Sequence, residues 1–443
     1  MIRVVACGDA LYSSRDLARR LDPRLVETLT STDAAFANAE FCCPRHDRPP
    51  APRRYVTAVR AELLDELAAL NVRLVSFANN HAGDYGPDGV VDTIEAAEAR
   101  GLLPGGIGRS LYEARSARFL DTPAGRIGLV CASTTRSAEF TASAPGAGVA
   151  ARPGLAPLRW GRAYVLPDRE FAELKRIDEM LGTAASRREV MGVEVMRDPG
   201  PDVFAFGSVF EGSLRIERGE RAHVRYFADE KDAQALLDAI RDAAHRADLV
   251  LFSLHTHEGA GENWYSPRAA SFVEEFARRA IDAGAHAVLG HGAHMLRGVE
   301  FHRGRPIFYS LASLAMEFEA GEQRMTPEMY EGFGLPKDAL PSQMHRSRIT
   351  DASGERIGFY ADRRFSRSVF AVCEFHATGQ VRVRLLPVDL DLNQPRPAER
   401  GLPYWPTPEV GREIAEAIAR MSEWCGTRVR YDESDGSIAL AAP

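Results

Sequence analysis

Gly290-His291-Gly292-Ala293-His294 directly follows the short apolar run Ala285-His286-Ala287-Val288-Leu289. The run predicts a buried β-strand, because it is short and apolar and a helical pattern before it stops at Gly284. The histidines therefore lie where a parallel strand ends and a glycine-flanked loop begins. Ligands collect at the carboxyl ends of such strands, and imidazole is the commonest side-chain ligand of transition metals. This pentapeptide predicts a metal-binding loop on an α/β sheet.

The same arrangement recurs along the chain, because polar side chains follow several other predicted strands. Those strands cover residues 2–7, 34–37, 72–77 and 248–254. The polar clusters are Asp9; Asn38 and Glu40; Asn80, His81 and Asp84; His255, His257 and Glu258; and His291 and His294. Parallel strands end at one edge of a sheet, so these clusters can converge. Their mixture of nitrogen and oxygen donors suits a divalent transition metal.

Each cluster also has an interpretation without a metal. Asp9 is compatible with a simple turn, and Glu40 with a surface charge. Asn80 and His81 are compatible with turn chemistry, and Asp84 with a helix N-cap. The metal interpretation depends on all five clusters occurring together at strand ends.

The composition excludes several functional classes. The chain has 443 residues, a net charge of −7 and 45% hydrophobic residues, typical of a globular protein. It has no Lys/Arg-rich run, which argues against nucleic acid or an anionic membrane as a partner. Six cysteines without a C-x-x-C pair favour a reducing compartment. With no signal peptide and no apolar run of transmembrane length, we expect a cytoplasmic location.

The alternation of apolar runs and helical patterns predicts an α/β sheet covered by helices. Helices are predicted at about 14–29, 56–69, 86–100, 168–181, 231–246 and 408–424, and two further strands within 368–388. Residues 1–320 are predicted to form the main domain, with 133–230 as an insertion or cap. Residues 321–443 are predicted to be an extension that packs on the core. No Walker A motif or G-x-S-x-G elbow is present.

Three arginines are weaker candidates for substrate contacts. Arg152 and Arg159 lie in the predicted insertion and could hold an anionic group, although a solvated surface role is the simpler interpretation. Arg297 closely follows the histidine pair and could also contact substrate.

Taken in order, the motifs resemble the CapA family of poly-γ-glutamate capsule synthesis proteins, in the calcineurin-like metallophosphatase superfamily. They are Gly8-Asp9, Asn38-x-Glu40, Asn79-Asn80-His81-x-x-Asp84-Tyr85-Gly86, His255-x-His257-Glu258, Gly290-His291-Gly292-x-His294 and Tyr309-Ser310-Leu311. The resemblance implies two packed β-sheets flanked by helices, an α-β-β-α sandwich. It also implies one or two divalent ions (Mn, Zn or Fe) at the sheet ends.

The resemblance further implies a role for each matching residue. The implied metal ligands are Asp9, Glu40, Asn80, His255, His291 and His294. His81 would be the general acid, oriented by Asp84. Asn38, His257 and Glu258 would lie beside the metal or support its ligands.

The sequence departs from the family pattern at three places. Leu11 stands where metallophosphatases have a histidine two residues after the first aspartate. Ala293 replaces the proline between the two histidines of the loop. The family's Tyr-Ser-Leu-Gly-Asn-Phe reads Tyr309-Ser310-Leu311-Ala312-Ser313-Leu314 here, so its asparagine is lost.

These observations favour a metal-dependent hydrolase that uses an activated water on an amide, peptide or phosphoester bond. The substrate would be a small molecule or a peptide. One alternative is an enzyme of poly-γ-glutamate or specialised metabolism that forms or rearranges amide bonds. The other is a non-catalytic partner subunit with a relic metal site.

Overall fold

A computed structural model describes residues 1–134, 140–194, 197, 199–317 and 325–443. The predicted domain boundary at 320/321 lies outside these residues, as do short pieces of the predicted insertion. The division of the chain into domains therefore stays a prediction.

Strands and helices alternate through the first half of the chain, as the apolar pattern predicts. The strands are β1 (Ile2–Leu11), β2 (Ala34–Ala39), β3 (Val72–Ser76), β4 (Leu103–Gly105), β5 (Ile107–Gly108), β6 (Arg118–Thr122), β7 (Gly125–Ser133), β8 (Gly154–Leu155), β9 (Trp160–Leu166), β10 (Val203–Phe206), β11 (Leu214–Arg218), β12 (His223–Ala228), β13 (Leu249–His255), β14 (Ala287–His291), β15 (Val299–His302), β16 (Arg305–Phe308), β17 (Ser313–Met316), β18 (Arg367–Phe375), β19 (Val381–Asp389), β20 (Arg428–Tyr431) and β21 (Ile438–Ala441).

The helices are α1 (Leu17–Arg20), α2 (Pro23–Thr30), α3 (Leu64–Ala69), α4 (Gly86–Glu98), α5 (Leu111–Arg115), α6 (Asp168–Met180), α7 (Thr183–Val193), α8 (Glu230–Arg246), α9 (Ser271–Asp282), α10 (Pro327–Gly332), α11 (Pro341–Ile349) and α12 (Pro408–Ser422). Short 3-10 turns lie at Ala61–Leu63, Ala260–Glu262, Gly358–Tyr360, Arg363–Ser366, Pro397–Glu399 and Glu423–Cys425.

Two large sheets form the centre of the molecule. The first has nine strands in the order β20-β21-β19-β18-β1-β2-β3-β4, with β17 also paired to β1. The second has six strands in the order β15-β16-β14-β13-β7-β6. Strands β1, β2 and β3 are parallel in the first sheet, and β7, β13 and β14 are parallel in the second.

The alternating side chains of these strands fill three apolar layers. Val4 and Phe36 of the first sheet pack against Leu251 and Leu289 of the second, in a core between the sheets. Opposite faces of the two sheets pack against their own helices in separate cores. The predicted two packed sheets flanked by helices are therefore confirmed.

Two helix predictions were wrong at their boundaries. The helix predicted over 14–29 is two helices, because Pro23 starts α2 and Asp22 caps it by accepting a hydrogen bond from the Arg24 amide. The helix predicted over 56–69 reaches back only to the turn at Ala61–Leu63. Residues 57 and 59 instead exchange backbone hydrogen bonds with Cys42.

The predicted insertion and extension have distinct architectures. Residues 154–228 include a small four-stranded sheet in the order β10-β11-β9-β12, together with α6 and α7. The C-terminal residues place β18 directly beside β1 in the larger sheet, antiparallel to it. These residues therefore complete the main sheet, and do not simply pack on it. Of the helices that the structure describes, none is long and apolar enough to span a bilayer.

Candidate metal centre

The predicted polar clusters converge at the carboxyl ends of parallel strands from both sheets. Asp9 and Glu40 come from β1 and from the residue after β2, whereas His255 and His291 are the last residues of β13 and β14. The register pairs His255 with His291 on these neighbouring strands. His291 thus ends the strand, and His294 lies in the loop beyond it. The centre is built across the seam between the two sheets.

Backbone packing holds Asp9 against the segment after Leu311. The Asp9 amide donates a hydrogen bond of 2.9 Å to the Ala312 carbonyl. Gly8 permits this approach, because a Cβ at that position would lie 1.9 Å from the Ala312 oxygen. The motif glycine therefore serves close packing of the backbone behind the carboxylate.

The first donor group, the deep group, consists of Asp9, His255 and His291, which are fully buried. Asp9 Oδ1 lies 3.2 Å from His291 Nδ1 and 3.7 Å from His255 Nδ1. The two Nδ1 atoms are 3.1 Å apart. Ser253 Oγ lies 2.8 Å from His291 Nε2, on the far side of the ring. That contact orients the ring so that its Nδ1 faces the carboxylate.

The second donor group, the outer group, consists of Glu40, His257 and His294. His294 spans the two groups, because its Nδ1 is 3.2 Å from Asp9 Oδ2 and its Nε2 is 3.6 Å from Glu40 Oε1. His294 also has a left-handed backbone, with φ at 56°. Strained backbone of this kind is concentrated at functional sites.

Burial and charge shift the pKa values of these groups in opposite directions. Burial alone would raise the pKa of Asp9, but the three surrounding imidazoles hold it well below its usual range. Burial and the nearby Asp9 charge raise the pKa of Glu40. Burial lowers the pKa of His255 to about 4 and also lowers that of His257. These two histidines are therefore neutral at pH 7, the form that binds metals.

Buried ligand atoms that lack a hydrogen bond indicate whether a metal ion suits this centre. Glu40 Oε2, His257 Nε2 and His294 Nδ1 are buried and meet no hydrogen-bond partner among the described residues, and His294 Nδ1 has only its 3.2 Å ion-pair contact with Asp9 Oδ2. All three belong to the outer group, and each can bind a cation. Buried polar atoms normally have a partner, so the orphaned atoms and the mixed donor set both fit a divalent ion.

His81 and Asp84 form a pair beside the donor groups. His81 Nδ1 is 2.6 Å from Asp84 Oδ2. The same carboxylate accepts hydrogen bonds from the Thr57 amide at 2.6 Å and from the Arg53 guanidinium. Since ionised Asp84 can only accept, its contact with Nδ1 favours a proton on that nitrogen. Nε2 is then the ring atom available for proton exchange.

Three asparagines connect the pair to the donor groups. Asn80 Oδ1 lies 2.9 Å from His255 Nε2. Asn38 donates to Asp9 Oδ1 at 2.9 Å, and Asn79 donates to Asn38 Oδ1 at 3.2 Å. Asn79 Oδ1 also accepts from the His81 amide at 3.0 Å. One amide network therefore links Asp9 to His81.

The other predicted residues have structural partners. Glu258 Oε2 accepts hydrogen bonds from the Thr134 and Thr256 hydroxyls. The buried Arg297 guanidinium donates to four backbone carbonyls, those of His257, Glu258, Trp264 and Ser266. It therefore supports the loop that carries His257, and this arrangement does not present it to a substrate.

The two arginines of the predicted insertion are exposed. Arg159 forms a salt bridge of 2.6 Å with Asp232, and Arg152 donates to the Thr141 carbonyl at 3.0 Å. None of these partners belongs to the donor groups. A role for either arginine in substrate binding stays a prediction.

The departures from the family pattern have local consequences. Leu11 is buried in the core between the first sheet and its helices, so this position offers no ligand. Ser313 pairs with Asp9 across β1 and β17, and its Oγ is buried without a hydrogen-bond partner in the described structure. Ala312 has φ at 59°, a left-handed conformation at the position of the family's glycine.

Several contributing residues were not singled out from the sequence. Ser253 could have been found, because it lies two residues before His255 and so faces the same side of the strand. Asn79 belongs to a quoted motif but had no assigned role. Arg53 follows a proline-rich loop, and Thr57 falls within the helix wrongly predicted over 56–69. Nothing in the sequence places either residue against Asp84.

Comparison with known proteins identifies the family of this chain. The family model of the bacterial capsule synthesis protein PGA_cap matches residues 4–317. The uncharacterized protein y4sH of Sinorhizobium fredii is 29% identical over 450 residues, covering 99% of this chain and 93% of the relative. A "probable polyglutamine synthesis accessory protein" of Mycobacterium tuberculosis is 26% identical over 358 residues, covering 78% of this chain and 72% of the relative.

Similar solved structures are more distant. A hypothetical protein from Thermus thermophilus has a TM-score of 0.39 and 13% identity, covering 87% of this chain and 99% of its own. A novel phosphatase from Mycoplasma pneumoniae has a TM-score of 0.39 and 10% identity, covering 88% of this chain and 93% of its own.

Proposed function

The chain belongs to the PGA_cap family of bacterial capsule synthesis proteins, and we propose that it is a metal-dependent hydrolase of an amide, peptide or phosphoester bond in a small molecule or peptide. The observation that carries this proposal is the pair of adjoining donor groups beside the His81–Asp84 pair. His294 of the outer group connects it to the deep group, because its ring lies between Asp9 and Glu40.

The donor groups would hold one or two divalent ions. The residues that would bind them are the implied ligands Asp9, Glu40, Asn80, His255, His291 and His294. His257 joins Glu40 and His294 in the outer group and would be a further ligand. A divalent ion held there supplies Lewis acidity, which polarises a substrate oxygen and makes water a stronger acid. The chain's own contribution is to fix these donors through Asn38, Ser253 and the Gly292 amide, which donates to Asp9 Oδ2 at 2.8 Å.

His81 is the proposed general acid. Asp84 holds Nδ1, so Nε2 is the atom from which a proton passes to the leaving group. Asp84 is itself held by the Thr57 amide and Arg53, and these contacts fix the orientation of the imidazole. The phenol ring of Tyr55 lies edge-on to His81, with ring centroids 6.1 Å apart, and restricts it from another side.

A second candidate is an enzyme that forms amide bonds. The name of the Mycobacterium tuberculosis relative refers to polyglutamine synthesis, and the same donor groups could polarise a carbonyl for attack by an amine. Such an enzyme needs an activated substrate or a nucleotide. A third candidate, a partner subunit with a relic site, requires that the donor groups bind no metal.

Product analysis distinguishes the three candidates. The full chain, loaded with Mn²⁺ or Zn²⁺, is incubated with a γ-glutamyl peptide and with a generic phosphoester, with and without ATP. Metal-dependent release of product without ATP supports the hydrolase, whereas turnover that requires ATP supports amide formation and contradicts it. Absence of both metal binding and turnover supports the relic site.

A matched pair of variants tests the role of His81. His81→Asn should keep its metal and lose about 100-fold or more in kcat, because it removes the general acid. His245→Asn replaces an exposed histidine at the end of α8 and should behave as the unmodified chain does. Equal activity in the two variants would contradict the assignment.

A further inference from the structure

The segment of residues 325–366 follows the region that the family model matches and packs beside the metal centre. Met329 and Met344 anchor it in one apolar cluster, which also contains Val56 and Tyr85. Ile349 and Phe365 anchor it in the core that contains Leu11 and Ala293. The segment is therefore fixed on both sides of the loops that carry the polar residues.

Aromatic and cationic side chains of this segment contact both parts of the centre. The Arg348 guanidinium lies 4.2 Å from the ring centroid of Tyr55, the residue that packs against His81. On the other side, the ring of Phe359 lies edge-on to that of His294, with centroids 5.9 Å apart. The segment thus reaches the proposed acid through Tyr55 and a proposed metal ligand through Phe359.

A small recess is lined by residues of the segment itself, among them Arg348 and Phe359. Its volume is about 20 Å³, and its lining residues are His345, Arg348, Ile349, Phe359 and Tyr360. A space of this size holds roughly one water-sized group. The His345 side chain is buried, and its Nδ1 has no hydrogen-bond partner among the described residues. A buried polar atom beside a guanidinium, in a recess of this size, suits one oxygen of an anionic group.

We propose that residues 325–366 form the specificity wall of the site, and that Arg348 and His345 bind an anionic oxygen group of the substrate. The proposal rests on the proposed hydrolase function, since it treats this anion as part of the molecule that is cleaved. Carboxylate and phosphate share the chemistry that a guanidinium recognises. Arg348 and Phe359 line the recess and contact Tyr55 and His294, so the anion would be held one side chain away from the metal centre. A neutral analogue of the substrate would bind poorly.

Calorimetric titration of the full chain tests this proposal with three probes. They are glutarate, inorganic phosphate and the uncharged dimethyl glutarate, each titrated into Mn²⁺-loaded and chelator-treated protein. Arg348→Gln should weaken binding of the preferred anion about tenfold or more in both states, because charge-assisted hydrogen bonds are lost. Arg346→Gln is the matched control, since Arg346 is an exposed arginine on the same helix.

The comparison of the two anions shows whether the wall takes carboxylate or phosphate. Arg348→Lys keeps the charge but loses the planar fork, and should bind several-fold more weakly than the unmodified chain. If thermal melting shows that Arg348→Gln misfolds, anion binding by Arg348→Lys is used to test the proposal instead. Anion binding that is equal in the variant and the unmodified chain would overturn the proposal. So would an unmodified chain that binds neither anion, or that binds dimethyl glutarate equally well.

These outcomes are separable from those of the hydrolase assay. Arg348-dependent anion binding without any hydrolysis would contradict the proposed function but leave the anion site standing. Hydrolysis whose KM is the same in Arg348→Gln and in the unmodified chain would contradict the anion site but leave the proposed function standing.

Discussion

The deep and outer donor groups differ in how completely the protein satisfies them. In the deep group, Asp9 accepts from Asn38 and from the Gly292 amide, and His291 contacts Ser253. In the outer group, every member has one buried atom without a hydrogen bond to the described residues. Hydrogen bonds from the protein thus fix the deep group, whereas the outer group keeps buried atoms that have no hydrogen-bond partner in the described structure.

This difference affects how each group would bind a cation. Leaving a buried polar atom unpaired costs about 1–3 kcal/mol. The outer group would recover this cost on binding an ion. Burial and the nearby Asp9 and Asp84 charges raise the pKa of Glu40. The deep group offers pre-positioned ligands instead. We therefore expect tight binding at the deep group and weaker binding, coupled to local ordering, at the outer group.

The largest effect is expected from Asp9→Asn, because Asp9 borders both groups. Loss of its charge should lower the affinity for Mn²⁺ or Zn²⁺ at both by about 100-fold or more, beyond the range seen for residues that merely support ligands. Metal content after gel filtration measures the change. Asp238→Asn, at an exposed position, is the control. Metal retained at the normal level in Asp9→Asn would remove the distinction between the two groups.

The next largest effect should come from His257→Ala, which alters the outer group alone. Calorimetric titration with Mn²⁺ should lose the weaker binding event and keep the tighter one, because Asp9, His255 and His291 remain in place. Loss of both events to the same extent would show that the donors form a single site.

A smaller effect is expected from Ser253→Ala in the deep group. Removing the hydroxyl that orients His291 should weaken the tighter binding event about tenfold, as for other groups that position a metal ligand. Ser313→Ala is a matched control, since Ser313 is equally buried but its Oγ has no hydrogen-bond partner in the described structure. The same affinity in both variants would argue against orientation of His291 by Ser253.

Arg53→Gln should leave both metal-binding events unchanged. Its expected effect is on turnover: kcat should fall about tenfold, less than for His81→Asn, since the Thr57 amide still holds Asp84. Arg346→Gln again serves as the control. A change in metal affinity in Arg53→Gln would mean that the His81–Asp84 pair and the donor groups are not independent.

The deep group was the more predictable of the two from sequence. Asp9, His255 and His291 lie on strands whose apolar patterns are plain, and parallel strands bring their carboxyl ends together. The outer group was harder, because His257 and His294 lie in loops whose course depends on tertiary contacts. His257 was expected beside the metal or in support of its ligands, and it lies with Glu40 and His294 in the outer group.

Residues that act through loops were beyond prediction altogether. Arg53, Thr57, Arg348 and Phe359 reach the site because apolar clusters dock their segments, and those clusters join positions that are far apart in the sequence. The sandwich itself was predictable, since it follows from strand and helix periodicity together with the family motifs. The break at Pro23 and the small sheet of residues 154–228 depend on local turn chemistry and short strands, which carry weaker signals.

Elemental analysis of the purified full chain tests the central claim most directly. The protein, before and after exposure to Mn²⁺ or Zn²⁺, is passed through gel filtration, and the bound metal per chain is measured beside the His291→Ala variant. We predict at least one equivalent retained by the unmodified chain and almost none by His291→Ala. Substoichiometric metal in the unmodified chain with no affinity on addition, or unchanged metal content in His291→Ala, would contradict the claim that these strand ends form a metal centre.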